Sequence, residues 1–222
     1  MQGKKNRPTR EELEEDRFLE WLMDAVEYVK ARAQLFIGAA AALIVAILAI
    51  TYVQSARLEA RQEAAELLGQ AAIADETGRF DEVVSLCEQL TDKYGGTPAA
   101  AQATIRLANR YFAQGRYGDA ERLYQSYLED YGDVDVLVFA AWTGIAATRE
   151  SQGDMAAAAA KYREYADAHG DSDEAAIALM DAARCYGAAG DRAQQREALE
   201  RVTRDYASSP VLGRAREELS ML

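Results

Sequence analysis

A glycine-led motif returns along the chain at an almost constant interval. It reads Gly78-Arg79-Phe80, Gly115-Arg116-Tyr117, Gly153-Asp154-Met155 and Gly190-Asp191-Arg192, with steps of 37, 38 and 37 residues. The text around it rhymes as well: residues 77–95 are TGRFDEVVSLCEQLTDKYG and residues 114–132 are QGRYGDAERLYQSYLEDYG. Helical periodicity runs for about fifteen residues before each glycine and about fourteen after it, so the glycine ends one helix and permits a tight turn into the next. Each repeat is therefore predicted to be an αα-hairpin. Further positions keep register. Val83, Ala120, Ala158 and Gln195 follow the glycine by five residues, Cys87, Tyr124, Tyr162 and Leu199 by nine, and Tyr94, Tyr131, His169 and Tyr206 by sixteen. Small residues let paired helices approach, and large ones fill the space between units. Hairpins that repeat in this way bury their apolar faces against their neighbours, which predicts an all-α solenoid of about four hairpins.

Composition agrees with helix almost everywhere. Half of the 222 residues are apolar, many of them alanine, and only three are proline. The formal charge of −12 is spread along the chain with no Lys/Arg-rich face or tail, which argues against a phosphate-neutralising surface and against a nucleic-acid partner. Catalytic signatures are missing: there is no GxSxG, GxxxxGK[ST], HExxH or GxGxxG, so neither an enzyme nor a small-molecule substrate is expected. His169 is the sole histidine, and its register mates Tyr94, Tyr131 and Tyr206 mark the slot as one for a packed flat ring. Cys87 and Cys185 lie far apart in no metal-ligand spacing and read as small buried hydrophobes that form no bridge. Asp133 with Asp135, and Asp171 with Asp173, look like fragments of a calcium loop. They occupy the slot held elsewhere by Thr97 before Pro98 and Ser209 before Pro210, which is a helix N-cap with proline at the first helical position. No metal or cofactor is expected.

Residues 35–53, LFIGAAAALIVAILAITYV, carry no charge and are flanked by Lys30 and Arg32 before and Arg57 after. As a helix they would span about 28 Å, close to the hydrocarbon thickness of a bilayer. Gln54, Ser55 and Ala56 do not make a clean small-x-small cleavage site, so the run is read as a permanent anchor rather than a signal peptide. Lys4, Lys5, Arg7, Arg10, Arg17, Lys30 and Arg32 precede it, whereas Arg57 and Arg61 follow closely, which places the N-terminus in the cytoplasm. Before the anchor, Phe18, Trp21, Leu22, Ala25, Val26 and Val29 fall on one helical stripe, with Glu20, Asp24 and Glu27 on other faces, suited to a lipid interface or a partner. Residues 1–12 read as a disordered polar tail. The expected organisation is a cytoplasmic arm (1–34), a transmembrane helix (35–53) and an extracytoplasmic domain (54–222). That domain comprises units at about 62–97, 98–134, 135–172 and 173–209 and a capping helix at 210–222.

Leu107, Ala108, Tyr111, Gly115, Tyr117, Ala120 and Tyr124 in the second unit, with Trp142, Ala146, Gly153, Ala158 and Tyr162 in the third, resemble the tetratricopeptide (TPR) pattern. The period exceeds the usual ~34 residues, and the extra length lies in the connections, as in TPR modules of bacterial envelope proteins. The fourth unit departs from the pattern where Gln195 replaces a small residue. Arm, anchor and repeats together resemble the ancillary subunits of the SecYEG translocon, and the repeats are also similar to those of the Tol-Pal cell-division coordinators. The resemblance implies a bacterial inner-membrane protein with a periplasmic binding domain, whose partners are proteins: the translocon, chaperones or envelope-complex subunits. Its work would be to assist secreted proteins or chaperone traffic at the translocon, or alternatively to act as a structural scaffold of another envelope complex. TPR solenoids expose a concave face made by the first helix of each unit. Taking Leu107, Ala108 and Tyr111 as the packed side of that helix turns Ile105, Asn109 and Phe112 outward, with Thr143, Met180 and Arg184 in the later units, as the expected protein-binding groove.

Overall fold

The computed structural model describes residues 21–23, 26–28, 30–132 and 137–222. The chain divides into two compact units, Met1–Leu58 and Glu59–Leu222. Among the described residues the regular structure is helical: α1 (Ala33–Glu76), α2 (Phe80–Lys93), α3 (Pro98–Ala113), α4 (Tyr117–Tyr131), α5 (Val138–Ser151), α6 (Met155–Ala168), α7 (Asp173–Ala188), α8 (Arg192–Asp205) and α9 (Leu212–Ser220).

In the first unit, Trp21, Leu22, Met23 and Val26 stand exposed on helical backbone. Phe18, Ala25 and Val29 of the expected stripe, and Glu20 and Asp24 of the other faces, lie outside the described residues, as does the 1–12 tail. The Arg32 guanidinium lies over the Tyr28 ring, 4.5 Å from its centroid, and bonds the Tyr28 hydroxyl. α1 is the one helix among the described residues long and apolar enough to cross a membrane. Its most apolar stretch has a mean hydropathy of 2.5, and none of that stretch is buried by protein. Two hydroxyls in this helix are satisfied locally, Thr51 donating to the Leu48 carbonyl at 3.0 Å and Ser55 to the Tyr52 carbonyl at 2.9 Å.

In the second unit, the end of α2 meets the later part of α1, where the Tyr94 hydroxyl donates to Glu63 at 2.7 Å, and the pairs α3/α4, α5/α6 and α7/α8 follow, with α9 after them. Gly78, Gly115, Gly153 and Gly190 all take positive φ, between 72° and 86°. The residue after each sends its N–H five residues back, Arg79 to Ala74, Arg116 to Tyr111, Asp154 to Arg149 and Asp191 to Tyr186, at 2.8–2.9 Å. This hydrogen bond closes the end of the first helix over a left-handed residue that glycine adopts without steric cost. The motif's second residue then starts the next helix, and its identity matters. Asp154 and Asp191 accept from the N–H groups of Ala157 and Gln194, both at 3.0 Å, whereas Arg79 and Arg116 cap nothing and pair instead with Glu82 and Asp119 one turn on.

The connections between units are tied by the ring at the sixteenth position. Tyr131 accepts the Gly96 N–H at 3.2 Å, and Tyr206 donates to the Gly170 carbonyl at 3.0 Å. His169 stacks on Tyr165 with centroids 4.5 Å apart and meets the edge of Trp142, whose ring also carries Lys161 Nζ at 4.5 Å. Thr97 caps α3 as expected, accepting from the Ala100 N–H, with Pro98 at the first helical position. Ser209 does not begin the last helix. A turn closed by the Leu212 N–H on the Ser209 carbonyl intervenes, and α9 starts at Leu212 behind Val211. Ser172 precedes α7 without a side-chain cap, so Asp173 sits within the first turn, and Asp133 and Asp135 lie outside the described residues.

The core is a chain of small-against-large contacts. Ala120 and Ala158 are fully buried beneath the facing helices, as the register requires. Two glycines make room for a side chain of the facing helix. A side chain at Gly144 would come within 2.5–2.6 Å of the Tyr124 ring, so the bare backbone of α5 is what admits that ring. One at Gly187 would come within 2.7 Å of Gln195, the large residue where the other units have a small one. The fourth unit has thus moved the missing volume to the opposite helix. The two ends of the array differ from its middle. At one register position Ala103, Ala141 and Ala178 are buried while Glu66 is exposed. At another, Leu107, Ile145 and Ala182 are buried while Gln70 is exposed. At the far end α9 lays Ala215 into the core and turns mostly polar side chains outward.

Candidate protein-binding groove

The first helices α1, α3 and α7 contribute to two separate clefts. On α3 the turn-spaced residues Gln102, Ile105 and Asn109 border a cleft of about 610 Å³, with Asp75 of α1 and with Arg106 and Arg110 at its wall. Arg106 Nη1 donates to Asp75 Oδ2 at 2.7 Å and Arg110 pairs with the other carboxylate oxygen, so one acid serves two guanidiniums. The Arg110 guanidinium also lies over the Phe80 ring, 4.7 Å from its centroid. A second cleft of about 600 Å³ lies further along, bordered by Asp181 and Arg184 of α7, Arg192 and Gln195 of α8, and Arg214 of α9.

The structure distributes the six sequence-derived groove residues unevenly. Ile105 and Asn109 share the first cleft, and Arg184 lines the second; Phe112, Thr143 and Met180 line neither. The expectation that Ile105 and Met180 stand free needs correction, because Ile105 is 5% exposed and Met180 only 1%, both within the core. The physical reason is that the first helix of a solenoid unit is contacted on three sides, by its own partner and by both neighbouring units, so only a narrow strip stays open. Phe112 is half-buried with its ring edge-on to Tyr117, and Thr143 donates to the Phe139 carbonyl at 2.8 Å. Asn109 is exposed, yet its Oδ1 accepts the Tyr124 hydroxyl at 2.5 Å, so it also anchors the second helix of its own unit.

Arg184 is committed to Glu150 of the preceding unit through two parallel bonds of 2.9 and 2.8 Å, and approaches Asp181 at 3.5 Å. This fork holds the Glu150 carboxyl below the usual carboxylate range and raises the guanidinium pKa further. Burial acts the other way on Asp181, pushing its carboxyl up. Behind the fork, Cys185 Sγ donates to Glu150 at 3.2 Å, and burial lifts that thiol to about 12. Asp75, Arg106 and Arg110 were not among the residues singled out in the sequence. An Arg pair four apart on one helix was visible there, but nothing in the local pattern tells that a carboxylate 31 residues earlier stands beside Arg106.

Residues 27–142, over half of the chain, match the family model of the tetratricopeptide repeat-like domain, and residues 177–209 match a tetratricopeptide repeat model. The chain belongs to the tetratricopeptide repeat-like domain family, and its repeats make it a protein–protein interaction module. Among solved structures it is similar in fold to BtubC (BKLC) from P. vanneervenii, at 17% identity over 65% of this chain and 63% of that one, with a TM-score of 0.55. It is likewise similar to a tetratricopeptide repeat protein from Parabacteroides merdae, at 17% identity over 70% of this chain and 57% of that one, also with a TM-score of 0.55. The matched region thus spans less than two thirds of either structure's length. No curated protein matches the chain.

Proposed function

We propose that the protein is a membrane-anchored TPR adaptor of the bacterial envelope. Residues 35–53 cross the inner membrane, the N-terminal arm stays in the cytoplasm, and residues 54–222 hold their groove on the periplasmic side to receive protein segments at the SecYEG translocon or from periplasmic chaperones. The observation that carries the anchor is the wholly unburied apolar stretch of α1, in a chain whose repeats bury most of their large apolar residues. The excess of Lys and Arg before that stretch supports the orientation. The resemblance of arm, anchor and long-connection repeats to translocon ancillary subunits supports the place of work.

Two measurements test this. In permeabilised cells an impermeant thiol reagent should modify a cysteine introduced at Ser172 and spare one at Gln2, with the two buried native thiols giving no background. Labelling at Gln2 alone would invert the topology. A photocrosslinker at Gln102, exposed in the first cleft, should capture translocon subunits or secreted chains. Capture of a single stoichiometric envelope complex would assign the structural-scaffold role instead.

A further inference from the structure

Eleven residues before each motif glycine, the first helix of the unit carries Leu67, Thr104, Trp142 and Leu179 in turn. Thr104 is the shortest of the four. In the third unit Trp142 meets the rings of Tyr165 and His169 edge-on, with both centroids 6.3 Å away, and Lys161 Nζ lies over its face at 4.5 Å. The matching positions of the second unit are Tyr127, Tyr131 and Leu123. The two tyrosine rings stand with centroids 5.6 Å apart, so the aromatic frame is kept while the ring it holds in the third unit is replaced by a threonine. A cleft of about 420 Å³ opens at that place. Thr104, only 3% exposed, forms its floor, Leu123, Ser126, Asp130 and Tyr131 of α4 line it, and the Gly95-Gly96 connection borders it. It shares no residue with either groove cleft.

We infer that this cleft receives an exposed tryptophan of a partner protein, which takes in the second unit the place that Trp142 takes in the third. The inference goes beyond the adaptor reading, since it needs neither the anchor nor the translocon and lies off the groove. The Thr104 hydroxyl donates to the Ala100 carbonyl at 2.9 Å, so the floor is satisfied and asks for no polar partner. Tyr131 accepts the Gly96 N–H at 3.2 Å, which holds its ring at the border, where an incoming ring finds the edge-on contact that aromatic pairs prefer. Leu123 stands where Lys161 covers Trp142 and offers an apolar cover instead. One polar group is well placed for an indole. The Asp130 carboxylate accepts the Ser126 hydroxyl at 3.0 Å and, with about four acceptor sites, retains room for a further donor. A buried indole must place its N–H on an acceptor, whereas phenylalanine brings a ring and no donor. A single tryptophan seated in a preformed pocket is also the kind of anchor that carries most of the energy of a small interface.

The test uses the full chain in detergent micelles and ligand-observed fluorine NMR of a capped Gly-Trp-Gly peptide carrying fluorotryptophan. A capped Gly-Phe-Gly peptide carrying fluorophenylalanine runs beside it, and both are corrected for protein-free micelles. The tryptophan peptide should be broadened several-fold more than the phenylalanine peptide. Thr104→Trp gives the second unit the residue that the third already holds at this position, and it should abolish the broadening. Asp130→Ala, at an exposed position, should weaken tryptophan-peptide binding several-fold and leave the phenylalanine peptide unchanged, a split that a merely structural role would not give. Equal broadening of the two peptides, or an equal response from the wild type and from a Thr104→Trp protein that is folded by circular dichroism, would overturn the inference. So would displacement of the tryptophan peptide by an equal concentration of Gly-Lys-Gly, which would assign the cleft to a cation. Should Thr104→Trp not fold, the Asp130→Ala comparison decides alone, and no change there overturns the inference.

Discussion

Glu150 is gripped from two directions, by the Arg184 fork and by the Cys185 thiol. Its folded pKa lies below the ordinary 4.5, so the stability it contributes is complete above pH 4.5 and is lost as the pH falls through the folded value. Asp181 runs oppositely. Burial raises its pKa above 3.8, so its ionised form costs stability at neutral pH and that cost vanishes in acid. Glu150→Gln should therefore destabilise by about 1 kcal/mol at neutral pH, a modest figure because Arg184 is half exposed, and Asp181→Asn should stabilise slightly. In urea melts the Glu150 difference should close as the pH falls below 4.5, and the Asp181 difference should be gone once the pH is below 3.8. The two thiols make a second prediction. Burial lifts Cys87 to about 11 and Cys185 to about 12, so neither should react with a disulfide reagent at neutral pH until denaturant is added. Their burial was legible in the sequence, because helical apolar neighbours surround both. The burial of Ile105 and Met180 was not, because a single helical period sorts residues into two faces whereas each first helix has neighbours on three sides.

At the scale of the helix, the motif's second letter separates two ways of starting the same element. Asp154→Ala should cost about 1 kcal/mol in chemical denaturation by orphaning the Ala157 N–H. Arg79→Ala should stay within about 0.5 kcal/mol, since it removes only an exposed ion pair and an exposed bond to the Thr77 hydroxyl. The hairpins and their glycine turns could be read from the spacing alone, since period and turn chemistry are local. The start of α9 could not, because Ser209-Pro210 is as good a local signal as Thr97-Pro98 and only the turn that packs before Leu212 tells them apart. Gly144 is the same kind of case, since its meaning lies in a ring contributed by the previous unit. Gly144→Ala should cost about 1–3 kcal/mol by overpacking, and Tyr124→Ala about 3–5 kcal/mol by leaving a cavity. In the double mutant most of the Gly144→Ala penalty should disappear, and a strictly additive cycle would show that the two residues do not meet.

For the repeat unit as a body, the exposed Glu66 and Gln70, where later units bury Ala103 and Leu107, leave the first edge polar. Glu66→Ala with Gln70→Leu should copy an internal face onto an open end, and size-exclusion chromatography should show concentration-dependent end-to-end association with helicity unchanged. Between those ends every junction is cut differently. Cys87 comes before Arg106 in the register, Tyr124 before Gly144, and Tyr162 before Asp181. Only one of these three pairs sets a phenol against bare backbone. Sequences that rhyme risk pairing with the wrong verse while the chain is still collapsing, either a unit further along or one in another molecule. The unequal junctions work as addresses: the second hairpin docked one place too far along, on α7, would drive the Tyr124 ring against the Asp181 side chain in place of Gly144.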